Sequence, residues 1–157
     1  MPDAVTNVHP AARLALPEGG FADVDLKMVP LVQALWAMGL RTAGCCQDLG
    51  ESSAFTGNEA GRERFGQYYR GQAWLKMPVE DTRIMLARLA EHPRFRERFN
   101  RWTRPDAWEN YVYLLAGDTD VQLSAWAQIH FPNDQLDEVT AILGGPASTN
   151  ISVRSRC

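Results

Sequence analysis

At 157 residues the chain is long enough for one domain with its own core, and 45% hydrophobic against 22% charged residues is an ordinary globular balance. A formal net charge of −3 argues against bulk attraction to nucleic acid or an anionic membrane. Residues 1–20 lack a basic start followed by an apolar run, and no stretch approaches the roughly 20 apolar residues of a membrane span. The expected setting is therefore the cytoplasm, with the three cysteines reduced. The expected plan is an extended arm over 1–20, one α/β domain over 21–143 and a flexible tail over 144–157.

In chain order, Asp25 to Met38 reads as a helix with Pro30 in its first turn, and Val29, Val32, Leu35 and Trp36 at helical spacing. Gly39 stops it, and Leu40–Cys46 reads as a strand of small residues. Residues 48–71 form a long glycine-punctuated stretch with a short helix near 59–65, a length that compact domains reserve for functional or disordered segments. Ala73–Met77 is a strand ended by Pro78. A helix follows over Glu80–Ala90, and Arg94–Trp102 gives a second helical piece after Pro93. Trp108–Leu115 and Val121–Phe131 alternate like half-buried strands around the turn residues Gly117–Asp120, and a last helix runs from Asn133 or Asp134 to Leu143. Leu75–Asp81 and Ile129–Gln135 share a strand–proline–acidic helix start, which suggests one unit used twice.

The expected fold is α/β of the α+β type, a mostly antiparallel sheet of about four strands with helices on one face. Alternation puts Ala73, Leu75, Met77, Val112, Leu114, Ala125, Ala127 and Ile129 on the helix-packed face. The opposite face receives Trp74, Lys76, Tyr111, Tyr113, Trp126, Gln128 and His130, a mixture of aromatic and polar groups that suits neither a plain core nor a solvated surface. Three uses compete: the floor of a small-molecule pocket roofed by residues 48–71, a homodimer interface, and, third, a stacking platform for single-stranded nucleic acid.

The most chemically suggestive residues are the vicinal Cys45 and Cys46, followed by Gln47 and Asp48. Cys46 ends a strand and opens the long loop, a position that α/β proteins give to ligands and nucleophiles. His130 is the expected base partner, Gln47 an oxyanion donor, and Asp48 or Glu51 the group that orients the imidazole. Cys45 is expected to be buried as a small hydrophobe, and His9 to be exposed and inert in the arm. There is no C-x-x-C, H-x-x-x-H, G-x-G-x-x-G or Walker pattern, so neither a metal site nor any other cofactor is expected.

Two segments resemble a group of small uncharacterised actinobacterial and phage-type proteins. In that group an amphipathic helix leads into a strand ending in Ser-Cys-Gln-Gly; here these are Pro30–Trp36 and Cys45-Cys46-Gln47-Asp48. The chain departs at Cys45 for serine and Asp48 for glycine. The resemblance implies a site at Cys46 without naming a reaction. The functional expectation is thus a small, Cys-dependent enzyme or small-molecule-processing protein needing no cofactor, with a non-catalytic binding or homodimerisation module as the alternative.

Overall fold

The computed structural model describes residues 8–53 and 59–144. The tail expected over 144–157 lies outside them except for Gly144, as do the first seven residues of the expected arm.

The stretch read as an arm contains a strand. β1 (Ala11–Ala15) pairs antiparallel with β2 (Phe21–Asp25) as a separate two-stranded sheet, with Ala11 opposite Asp25. Gly19 and Gly20 have φ of 104° and 84°, a region open to glycine at no steric cost, and this lets residues 16–20 close the hairpin. A single 3₁₀ turn then leads into α1 (Val29–Ala37), with Pro30 in its first turn where no N–H partner is needed.

The main sheet has four strands in the order β3 (Gly44–Cys46), β4 (Gln72–Pro78), β6 (Val121–Pro132), β5 (Glu109–Ala116), all antiparallel. Between β3 and β4 the long segment is mostly helical rather than irregular: α2 (Leu49–Ser53) and α3 (Glu59–Tyr69). Gly50 is the point where they cross. A Cβ there would lie 2.2 Å from the Arg70 backbone nitrogen and 2.5 Å from the Gly66 carbonyl oxygen. After β4 come α4 (Val79–Ala90) and α5 (Pro93–Phe99), and β6 runs through another short 3₁₀ turn into α6 (Leu136–Gly144).

The topology is therefore two strand–strand–helix units, β3-β4-α4 and β5-β6-α6, joined along their second strands. Leu75 and Ile129, each three residues before its unit's proline, sit directly opposite each other. The register is symmetric about that pair, as the repeated strand–proline–helix pattern implies.

Helices α1, α4 and α6 cover one face, where Ala73, Leu75, Met77, Ala127, Ile129 and Phe131 are fully or almost fully buried against Met28, Leu31, Leu35, Met85, Leu89 and Val139. An aromatic cluster seals one end: Trp108 stacks on Phe131 with centroids 4.5 Å apart and meets Phe95 and Phe99 edge-on. Leu114 and Ala125 share this face by parity yet are exposed, Leu114 at 70%. The reason is that β6 pairs with β4 only from Trp126 onward. The tip of the β5–β6 hairpin overhangs the sheet, and among the described residues no helix reaches it. A two-residue register shift between Val112 and Leu114 marks where this overhang begins.

Candidate functional site

The hairpin register fixes the first component of the site. With Ala11 opposite Asp25 and the Leu26 N–H bonded to the Pro10 carbonyl, His9 is carried to the end of β2. It is 94% buried there, against the sequence expectation of an exposed residue. His9 Nδ1 lies 3.0 Å from Asp25 Oδ2 and Nε2 lies 2.9 Å from Glu51 Oε2, so the ring is held at both nitrogens by carboxylates.

Cys46 closes the cluster. Its Sγ is 3.8 Å from His9 Nδ1 and 3.0 Å from Ser52 Oγ. The Gln47 N–H donates to Asp25 Oδ2 at 2.9 Å, which locks the end of β3 onto the end of β2. Thus His9, two residues before β1, the last residue of β2, and the neighbouring end of β3 and α2 converge. His9 Nδ1, one carboxylate oxygen of Asp25 and Cys46 Sγ all fall within 4.8 Å of one another. The absence of any short metal motif hid this set, because each donor comes from a different element.

The thiols are not resting nucleophiles. Burial pushes the Cys46 thiol up to about 11, only partly offset by hydrogen bonds from Ser52 and the Asp48 backbone, and the Asp25 charge adds to the rise. Burial pushes Cys45 higher, to about 12, with Asp25 again contributing. The two cysteines have different surroundings, as strand alternation requires. Cys45, opposite Leu75, packs against the core, while Cys46, opposite Trp74, shares the other face.

The residues expected to serve Cys46 take other roles. Gln47 accepts the Lys27 N–H through Oε1, so its side chain tethers the start of the first helical turn rather than the thiol region. Asp48 is buried and fully engaged. Oδ1 accepts the Glu51 N–H at the start of α2, and Oδ2 accepts from the Gly71 N–H and Asn133 Nδ2. It caps a helix and pins two loops. Glu51 does orient an imidazole, but that of His9.

His130 is not the partner of Cys46. Cys46 pairs with Trp74 and Trp74 with His130, so the two sit on one sheet face but two strands apart, about 10 Å between backbones. His130 is 96% buried, lies edge-on to Tyr69 at 4.8 Å and beside Tyr111 at 5.4 Å, and among the described residues neither ring nitrogen has a hydrogen-bond partner. Burial pulls it down to about 4, against a smaller opposing pull from Glu109.

The remaining predicted residues do share the open face. Trp74 donates through Nε1 to Gln128, Lys76 lies over the Trp126 ring at 5.9 Å, and the Tyr111 hydroxyl donates to Glu109. That last bond, with burial, raises the Tyr111 hydroxyl well above the ordinary phenol range. The face is not bare at its His130 end. Arg104 lies over Tyr68 at 3.8 Å, donates to the Tyr68 carbonyl and pairs with Glu109, so the end of α3 covers that end of the sheet. Tyr113 and Trp126, nearer the overhang, stay exposed at 52% and 39%. A crevice of about 480 Å³ opens beside the overhang, lined in part by Pro78, Val79, Val112, Leu123 and Trp126.

Several arginines that a nucleic-acid platform could use are paired within the chain. Arg94 and Arg98 clamp Glu138, Arg88 pairs with Glu91, and Arg101 with Glu97 and Asp106. Among the described residues no helix is long and apolar enough to cross a membrane. Compared with protein families, curated proteins and solved structures, the chain matches none.

Proposed function

We propose that this chain is a small enzyme or small-molecule-processing protein whose reactive centre is the cluster of His9, Asp25, Cys46 and Glu51. The observation that carries the reading is the imidazole of His9. It stands 3.8 Å from the Cys46 sulfur, and its far nitrogen is fixed by Glu51 at 2.9 Å. A thiol, an imidazole and an orienting carboxylate in that sequence of contacts form a unit able to hold and move a proton. Burying such a unit is costly unless each member is paired, and here each is. The side open to a substrate is that of Glu51, 56% exposed, whereas His9 and Cys46 are 94% buried.

The test is turnover of a panel of small activated esters, amides and phosphoesters by the purified chain. Activity should fall by at least about 100-fold in Cys46→Ala and in His9→Gln, the range a positioned proton-transfer group supplies. It should survive in His130→Phe. Full activity in a folded Cys46→Ala variant would overturn the reading.

A second, compatible reading is homodimerisation through the overhanging hairpin. Leu114, Val121 and Leu123 are 70%, 62% and 67% exposed, and Leu115 and Tyr113 more than half exposed, at a hairpin tip that no helix covers among the described residues. Leu114, Val121 and Leu123 lie on one face of the tip and Tyr111, Tyr113, Leu115 and Trp126 on the other, so apolar side chains flank the β5 edge on both sides. β5 is also an unpaired edge strand. A second copy meeting it across a two-fold would pair the edges antiparallel and cover these side chains. Light scattering after size exclusion should give a dimer that Leu114→Asp converts to a folded monomer; a monomeric parent chain would refute it.

A further inference from the structure

We infer that the cluster of His9, Asp25 and Cys46 is a binding site for one divalent transition-metal ion, with zinc as the best-fitting candidate. The inference rests on reading this cluster as the reactive centre and names the cofactor it takes; with an ion held, His9 Nδ1 and Cys46 Sγ would serve as ligands instead of a proton-transfer pair.

The geometry comes first. Tetrahedral zinc with bonds of about 2.0–2.3 Å sets its ligand atoms roughly 3.3–3.7 Å apart. Here His9 Nδ1 is 3.0 Å from Asp25 Oδ2 and 3.8 Å from Cys46 Sγ, values on either side of that edge. The remaining oxygen–sulfur separation is within 4.8 Å. An ion therefore fits with ligand-atom shifts of about an ångström.

The donor set comes second. One thiolate, one imidazole and one carboxylate are the N, S and O ligands of zinc and its neighbours, and the sulfur and nitrogen disfavour magnesium and calcium. With Nδ1 unprotonated, the thiolate and the carboxylate together balance a 2+ charge, and the displaced thiol proton leaves to solvent. The surroundings come third. A metal-bound histidine ordinarily donates its other ring N–H to a carboxylate, and Glu51 stands 2.9 Å from His9 Nε2 in that role. Asp25 is similarly steadied by the Gln47 N–H. Three protein ligands leave a fourth position for water or a substrate heteroatom, the pattern of catalytic rather than structural zinc. Cys45 cannot join, because it faces the core on the other side of the sheet.

The test uses the full, untagged chain carrying Cys157→Ser, stripped with chelator and titrated with Co²⁺ and then Zn²⁺. The expected result is one equivalent of Co²⁺ with a sulfur-to-cobalt charge-transfer band and tetrahedral d–d bands, both erased by one equivalent of Zn²⁺. Cys46→Ala should abolish the charge-transfer band while Cys45→Ala keeps it. Glu51→Gln, an exposed change that leaves the core intact, should weaken binding about 10- to 100-fold. A folded parent chain that takes up neither metal, or a charge-transfer band that survives Cys46→Ala, would overturn the inference. If metal fails to bind while Cys46→Ala and His9→Gln still abolish turnover, the ion falls and the reactive centre stands. If one equivalent binds but metal-free protein turns over at the full rate, the site holds a metal that the reaction does not use, and the inferred catalytic role of the ion falls.

Discussion

Replacing His130 with phenylalanine should flatten the pH dependence of stability between pH 7 and pH 5. In the folded chain burial holds His130 near 4, among Tyr69 of α3, Glu109 and Tyr111 of β5, Trp74 of β4 and the Arg104 loop. An unfolded histidine titrates near 6.5, so between about 6.5 and 4 the unfolded state binds the proton and the folded state does not. The contribution is therefore complete above the unfolded value and is lost as pH falls. Linkage gives a loss of about 2 kcal/mol from pH 7 to pH 5. Asp81 and Glu138 do not blur this window. Arg41 and Arg98 hold them below the ordinary carboxylate range, and their contribution fades only at lower pH. Urea unfolding followed by tryptophan fluorescence at pH 7, 6 and 5 measures the slope. Phenylalanine keeps the ring packing and removes two unpartnered nitrogens, so the variant should be at least as stable as the parent at pH 7. Equal slopes in parent and variant would refute the argument.

Asp48→Ala removes a helix cap and two loop anchors at once and should cost about 2–3 kcal/mol in chemical denaturation. Gly50→Ala drives a methyl into the Arg70 backbone and should lower stability by about 1–3 kcal/mol or more, read as a drop in the melting temperature. Glu138→Gln loosens the link between α5 and α6 made by Arg94 and Arg98; its cost, about 1 kcal/mol, should shrink in high salt.

Most of the sheet was legible because period-two alternation and proline stops are local signals. Trp74, Gln128 and His130 share a face for the same reason that Leu75 and Ile129 share the other. The strand–proline–helix repeat was legible too, and the central pair's register turned out symmetric about Leu75 and Ile129. The site was not. Its imidazole comes from His9, and nothing near residue 9 marks it. The usable signal was the Gly19-Gly20 turn between two short alternating stretches, which implies a hairpin and hence a fixed neighbour for the residues before it. Pro10 and Pro17 made the same stretch read as an arm. The overhang escaped for a different reason: alternation tells which side chains are parallel, but not how far the covering helices extend.

The two outer strands of the sheet are finished in opposite ways. β3 is three residues long, and the Gln47–Asp25 bond ties its end to the N-terminal hairpin. β5 is eight residues long, and among the described residues no strand pairs with its outer edge. A sheet with two open borders can add copies without limit, as fibres do. One with a single open border is saturated by one encounter. For the homodimer proposed above, the short, tied border at β3 would act as a stopper and limit edge pairing to one encounter at β5.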